Sequence, residues 1–219
     1  CKLGGLPMVK KLNAKQLLRR DGYIFYKRIL PVKQINIAIS LLIDESGSME
    51  VENRITNAHK PAIVIQDFCS SLNIPIAIYG HTEDYKVKLF SYAEFDSIDG
   101  KDKYRLMDMK ARSGNRDGAA LRFCCEQLNK RPEITKIMIL LSDGQPAGSG
   151  YSGTEAEADL RGIRKEYNRK GIILIAGAVG EEKENIKRIY QEGFLDITDI
   201  SKLPVNLTKL IIQYVRKAG

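Results

Sequence analysis

The sequence has no tryptophan, two histidines and four cysteines, and this scarcity excludes several classes of site. His59 and His81 are far apart in the chain, so a zinc centre built on histidine is not expected. No two cysteines have the Cys-x-x-Cys spacing of a zinc ribbon or a redox motif. No apolar run reaches the roughly 18 residues of a membrane-spanning helix, so no membrane partner is expected.

Two short motifs of common enzymes are also absent. There is no G-x-x-x-x-G-K-[ST] loop, so the chain is not expected to bind ATP itself. The Gly-Tyr-Ser-Gly stretch at 150–153 lacks the G-x-S-x-G of a nucleophile elbow, which argues against a serine hydrolase. Cys69 and Cys124 fall on apolar helix faces, as buried thiols do in a reducing compartment. We therefore expect a cytoplasmic protein and, because residue 1 is Cys, a piece of a longer chain.

Positive charge is concentrated at the start of the chain. The formal net charge is +8, and residues 1–34 hold nine lysines and arginines against Asp21 alone. No aromatic residues are interleaved with basic ones in a stacking motif, so a nucleic-acid partner is not expected. We predict that 1–34 is the basic tail of an upstream region, with a short helix through the leucines of 12–18, and that 35–219 forms one domain.

Hydrophobic patterns after the basic segment alternate between strands and helices. Nearly continuous apolar runs are typical of strands buried on both faces: 35–43, 74–80, 136–141 and 171–180. Amphipathic stretches predict helices: 55–72, 118–129, 154–170, 182–190 and 207–214. The alternating run 85–92 predicts an edge strand after a hairpin loop at 81–84, and 194–198 a last strand. The predicted fold class is α/β, with a doubly wound, mostly parallel sheet, one antiparallel edge strand and helices on both faces.

Oxygen-bearing side chains follow two of the apolar strands. Asp44, Ser46 and Ser48 alternate directly after the first strand, and Asp143 follows the strand at 136–141. Residues at i, i+2 and i+4 of an extended segment point the same way, and the carboxyl ends of parallel strands share one sheet edge. We therefore expect these side chains to converge on a hard cation, Mg²⁺ or Mn²⁺, which prefers all-oxygen ligands.

A third polar cluster, at 113–121, offers two further candidate metal ligands. Asn115 could present its amide oxygen to the ion, directly or through water. Asp117 could bind through water, or it could instead be the N-cap of the helix at 118–129. A third carboxylate next to the ion would make the site net negative and repel an acidic partner. Both residues stay candidates, and Glu45 is expected to be a solvated loop residue that shapes the rim.

These motifs together resemble a known family. The D-x-S-x-S pattern after the first strand resembles the metal-ion-dependent adhesion site (MIDAS) of von Willebrand factor A (vWA) domains. The Ser-Asp-Gly at 142–144 resembles that family's last metal-site Asp, and 115–121 aligns with its T-x-x-G-x-A-L motif, with Asn115 at the Thr position. The likeness covers residues 35–217, which makes 35–219 a vWA domain by resemblance. Three stretches are most similar to the C-terminal domain of cobaltochelatase subunit T and to nitric oxide reductase activation proteins: LLIDESGSM, GNRDGAALR and SDGQPAGSGYSG.

The resemblance implies a cation-dependent protein-binding module rather than an enzyme. A partner's Asp or Glu carboxylate would complete the coordination of the ion, and the implied partner is an AAA+ ATPase. One alternative is a metal-dependent phosphatase or hydrolase with Arg112 and Arg116 as a phosphate clamp, although no general base is evident. Another alternative is a structural vWA domain that binds no ion.

Overall fold

The computed structural model describes these residues: 10–12, 25–27, 36–97, 101–144, 146–179 and 183–218. The chain divides into two compact units, Cys1–Ile35 and Asn36–Gly219. In the first unit, two short strands pair antiparallel, β1 (Lys10–Leu12) and β2 (Phe25–Lys27). The helix predicted at 12–18 is wrong at its first residue, which ends β1, and its other residues lie outside the described ranges.

The second unit contains the main sheet. Its strands are β3 (Ile37–Asp44), β4 (Ile76–Asp84), β5 (Lys86–Ala93), β6 (Thr135–Ser142), β7 (Ala147–Gly148), β8 (Tyr151–Ser152), β9 (Ile172–Ala178) and β10 (Phe194–Leu195). Strands β7 and β8 form a small antiparallel hairpin. The others form a sheet in the order β10-β9-β6-β3-β4-β5, in which every pair is parallel except β4 with β5. The predicted α/β class with one antiparallel edge strand is confirmed.

Helices cover both faces of this sheet. They are α1 (Arg54–Ser71), α2 (Asp102–Arg105), α3 (Asp117–Asn129), α4 (Gly153–Arg169), α5 (Lys183–Tyr190) and α6 (Leu203–Ala218). Short 3-10 segments lie at Gly47–Asn53, Leu106–Asp108, Gln191–Gly193 and Ile200–Lys202. Helices α1 and α6 pack together, and so do α3 with α4 and α4 with α5. Among the described residues, no helix has both the length and the apolar character needed to cross a membrane.

The core consists of two layers, one on each face of the sheet. Ile39, Leu41 and Ile43 of β3 are fully buried in the layer that includes α1 and α6. Ala38 and Leu42 of the same strand are fully buried in the layer that includes α3, α4 and α5. Each fully buried leucine or isoleucine contributes about 1.5–3 kcal/mol. Burial on both faces explains why the strand is apolar at consecutive positions rather than at alternate ones.

The hairpin between β4 and β5 differs from its prediction. The loop predicted at 81–84 is wrong, because β4 continues through these residues and the chain reverses at Tyr85. His81 therefore pairs in register with the last residue of β3. The polar residues at 81–84 resemble a turn, but a neighbouring loop takes the place of water as their hydrogen-bond partner. Thr82 Oγ1 donates to the Gly114 carbonyl at 3.0 Å. A buried histidine thus lies at the edge of the sheet where β3 ends.

Candidate metal centre

Asp44 lies at the carboxyl end of β3 and is fully buried. Its Oδ1 accepts a hydrogen bond from the Ser46 backbone N–H at 2.8 Å. Its Oδ2 accepts from Asn115 Nδ2 at 2.9 Å and from Ser142 Oγ at 3.1 Å. Burial, and then the charge of Asp117, raises the pKa of Asp44 above its usual value. These neutral donors fix the orientation of the carboxylate without cancelling its charge.

The two serines of the motif face each other beside Asp44. Ser46 Oγ and Ser48 Oγ are 2.9 Å apart; Ser46 is buried and Ser48 half-buried. The hydrogen bond of the Ser46 side chain lowers the pKa of Asp44, against the larger effect of burial. Between the serines, the Gly47 N–H donates to the Ser113 carbonyl at 2.5 Å, which ties the first loop to the third. The two serine hydroxyls therefore meet, although Ser48 lies in the 3-10 segment Gly47–Asn53 and not in the extended segment that the sequence pattern predicts.

Asp143 follows β6 and forms an ion pair with an arginine. It is fully buried, and Arg54 Nη1 lies 3.2 Å from its Oδ2. Arg54 is the first residue of α1, and its side chain is 11% exposed. The adjacent Ser142 donates to Asp44, so the ends of β6 and β3 are tied together. Sequence reasoning missed Arg54, because a basic residue at a helix start carries no periodic signal and is unfavourable to the helix dipole.

Asn115 links the first loop to the β7–β8 hairpin. Its Nδ2 donates to Asp44 Oδ2, and its Oδ1 accepts the Ala147 backbone N–H at 2.9 Å. A backbone N–H can only donate, so the amide oxygen faces Ala147 and the NH₂ group faces Asp44. The oxygen that would bind an ion is thus engaged by the backbone. In this arrangement Asn115 orients Asp44.

Asp117 is paired with a buried histidine on the neighbouring strand. It is the first residue of α3 and 1% exposed, and the N-cap position belongs to Arg116, so the N-cap alternative for Asp117 is wrong. His81 Nε2 lies 3.1 Å from Asp117 Oδ1, an ion-pair distance without the alignment of a hydrogen bond. Burial lowers the pKa of His81, but Asp117, Asp44 and Glu45 outweigh burial and raise that pKa overall. A protonated His81 offsets the third carboxylate that would otherwise make the site strongly negative.

Glu45 is buried, so its predicted role as a solvated rim residue is wrong. Its carboxylate accepts hydrogen bonds from Tyr92 Oη and from Arg112 Nε, the latter at 2.6 Å. Burial raises the pKa of Glu45. Gly80 of β4 makes room for this carboxylate, because a Cβ there would lie 1.9 Å from Glu45 Oε1. A glycine inside an apolar strand was the one sequence signal of this close approach.

Neither arginine of the predicted phosphate clamp points at an open site. Arg112 is engaged with the buried carboxylate just described, and its guanidinium carbon lies 3.7 Å from the centroid of the Phe90 ring. Arg116 Nε donates to Glu83 Oε1 at 2.9 Å, and its Nη2 donates to the Ser149 carbonyl. The geometry therefore gives the phosphatase or hydrolase alternative no support.

The donor set fits a hard divalent cation. Asp44, Ser46, Ser48 and Asp143 offer only oxygen atoms, which are the ligands of Mg²⁺ and Mn²⁺. Within the described stretches, no three His, Cys, Asp or Glu side chains group as a metal cluster. Any ion here would therefore depend on the serine hydroxyls and water in addition to the two carboxylates.

Comparison with known proteins finds a family model and curated relatives that resemble this chain. The family model of the VWA domain of cobalamin biosynthesis protein CobT matches residues 100–214. Protein NorD of Brucella suis biovar 1 (strain 1330) is 27% identical over 187 residues, which cover 78% of this chain and 29% of NorD. The uncharacterized protein YojO of Bacillus subtilis (strain 168) is 26% identical over 226 residues, which cover 95% of this chain and 35% of YojO. The chain thus spans about a third of the length of these curated relatives.

Solved structures show the same fold. The von Willebrand factor type A structure from Catenulispora acidiphila aligns with a TM-score of 0.57 at 20% identity, over 82% of this chain and 42% of that chain. The resemblance to cobaltochelatase subunit T and nitric oxide reductase activation proteins is confirmed by the family match. Since the family model covers more than half of the sequence, the chain belongs to the CobT VWA domain family.

Proposed function

We propose that this domain is a divalent-cation-dependent protein-binding module, in which Asp44, Ser46, Ser48 and Asp143 hold Mg²⁺ or Mn²⁺. The observation that carries the proposal is that Ser46 and Ser142 contact Asp44, and Ser48 contacts Ser46, at the edge where β3 and β6 end. Ligands of doubly wound sheets bind at this edge. Asp44 is oriented by neutral donors, which do not offset the charge of the carboxylate when it binds a cation.

In this proposal the two other candidate ligands, Asn115 and Asp117, do not bind the ion directly. Asn115 orients Asp44 through its NH₂ group, and Asp117 contributes through water with His81 as its counter-charge. Two carboxylates then match the charge of a divalent ion. An open coordination position can still attract a third carboxylate, from an Asp or Glu of a partner protein.

The partner we propose is an AAA+ ATPase, in a chelatase-like or enzyme-activating complex in the cytoplasm. The family is that of a cobalamin biosynthesis protein, and NorD is among the relatives, which supports an accessory rather than a catalytic role. Cys69, Cys124 and Cys125 are buried free thiols, as expected in a reducing compartment. We assign this role to residues 35–219.

Ion binding is tested first, with Mg²⁺ and Mn²⁺ alone. A ligand that binds only the native state raises the midpoint of thermal unfolding. At a concentration 100 times its Kd, such a ligand adds about 2.7 kcal/mol to the free energy of unfolding. We expect this rise in the wild type and its loss in Asp44→Ala. Asp96→Ala is the matched control. Asp96 follows the carboxyl end of β5, which lies at the sheet edge opposite the site because β5 is antiparallel, and its side chain is 88% exposed. No rise with either ion in the wild type would contradict the proposal and favour a structural domain without an ion.

The partner is tested second, by pull-down of an AAA+ ATPase encoded near the gene of this chain. Capture should require Mg²⁺ or Mn²⁺, should be lost in EDTA, and should be lost in Asp44→Ala but not in Asp96→Ala. Capture that persists unchanged in EDTA would show that the ion is not what joins the two proteins.

A further inference from the structure

We propose that Arg54 is a built-in competitor of the divalent cation at Asp143, so that this internal ion pair sets how tightly the site takes up its ion. The inference rests on the proposed ion binding and deepens it by naming the residue that limits the affinity. Its basis is the contact of a metal-site carboxylate with a guanidinium, at 3.2 Å between Arg54 Nη1 and Asp143 Oδ2.

The loop that carries the serines also positions Arg54. The Arg54 backbone N–H donates to the carbonyls of Met49 and Val51, which belong to the 3-10 segment Gly47–Asn53. That segment includes Ser48, whose hydroxyl is part of the proposed ion site. The start of α1 and the serine loop are therefore one connected piece of backbone. A change in this loop on ion binding would reach Arg54 directly.

The turn before Arg54 is strained. Glu52 has φ 52° and ψ 30°, and Asn53 has φ 55° and ψ 32°, so both are left-handed. Asparagine tolerates this region, but a glutamate adopts it at a cost. Such a conformation persists only where surrounding contacts over-determine it. Here those contacts include the two backbone bonds of Arg54 and its ion pair with Asp143.

The charges at Asp143 favour competition over cooperation. The side chains of Arg54 and Asp143 are 11% and 0% exposed, so solvent screens their interaction little. A divalent ion on Asp143 would bring a second positive charge close to the guanidinium, and arginine cannot lose its proton to relieve the repulsion. The guanidinium must therefore give up at least part of its contact when the ion binds. The free energy that is lost when the Arg54–Asp143 contact weakens then makes the net free energy of ion binding less favourable.

The test is a calorimetric titration of Mg²⁺ and of Mn²⁺, each alone, into the wild type and Arg54→Gln. We expect Arg54→Gln to bind either ion at least about tenfold more tightly, because the variant removes the guanidinium that competes with the ion for the buried Asp143 carboxylate. Its melting midpoint should be lower than that of the wild type in EDTA, and the rise on adding ion should be larger. Arg54→Lys, which keeps the charge but not the planar fork, should tighten binding by a smaller factor.

Arg122→Gln is the matched control, since it removes a guanidinium from the surface pair with Asp159 and changes net charge equally. It should bind the ions as the wild type does. Equal or weaker ion binding by Arg54→Gln overturns the inference, because Arg54 would then only hold Asp143 in place. If Arg54→Gln does not fold in EDTA, Arg54→Lys decides by the same criterion. If the wild type itself binds neither ion, the proposed function fails as well; if it binds and the variants bind no tighter, only this inference fails.

Discussion

The two carboxylates at the strand ends, Asp44 and Asp143, are both fully buried but are held in different ways. Asp44 accepts hydrogen bonds from a backbone N–H, an amide and a hydroxyl, which are all neutral. Asp143 accepts from the guanidinium of Arg54. Neutral donors orient a carboxylate and leave its charge for a cation, whereas a guanidinium both orients and neutralises it. One half of the site is thus ready for an ion, and the other half exchanges an internal cation for it.

The largest expected effect comes from making the same substitution on each side. Asp143→Asn leaves the buried Arg54 guanidinium without this carboxylate and should lower the free energy of unfolding by about 3 kcal/mol. Asp44→Asn loses acceptor capacity but also removes a charge that burial disfavours, so its cost should be about 1 kcal/mol. Urea unfolding in EDTA measures both values. Equal losses would mean that the two carboxylates are not held differently.

The two sides should also differ in their response to pH. Burial lowers the pKa of His81, but Asp117, Asp44 and Glu45 raise it overall. The native state then binds this proton more tightly than the unfolded state. The resulting stability is fully present below the ordinary histidine pKa of about 6.5, and it is lost as pH rises through the higher folded pKa.

The measurement is the free energy of unfolding in EDTA at a series of pH values above about 6. His81→Gln should flatten the loss of stability with rising pH. Asp143→Asn should leave the slope in place, because it removes none of the carboxylates that raise the pKa of His81. A wild-type profile as flat as that of His81→Gln would contradict the assignment of the slope to the Asp44 side.

The smallest expected effect concerns the turn that presents Arg54 to Asp143. Glu52→Gly should raise the free energy of unfolding by about 0.5 kcal/mol, because glycine adopts the left-handed region without strain. Glu50→Gly is the control in the same segment, where φ is not positive, and it should lower stability by about 0.5–1 kcal/mol. Thermal or urea unfolding compares them. If both variants lose stability equally, the turn stores no strain.

Much of the fold could be predicted because its signals are local. The apolar runs at 136–141 and 171–180 became β6 and β9, and the amphipathic stretch at 154–170 became α4. Such periodicity follows from which face of an element is buried. The prediction of a loop at 81–84 was wrong because it also relied on a local signal. Polar residues indicate a turn only when water satisfies their hydrogen bonds. In this protein the loop that contains Gly114 accepts the hydrogen bond of Thr82 instead.

The sequence by itself located the first half of the candidate site, because Asp44 and Ser46 alternate at the end of β3, although Ser48 reaches Ser46 from the 3-10 segment Gly47–Asn53. Only the tertiary structure decided what each carboxylate meets. Arg54 and Asp143 are 89 residues apart in the chain, and Glu45 and Arg112 are 67 apart. Pairings over such separations depend on which elements the sheet places side by side and on how deeply it buries them. A local pattern therefore locates the charges of the site, and packing sets which of them are already neutralised.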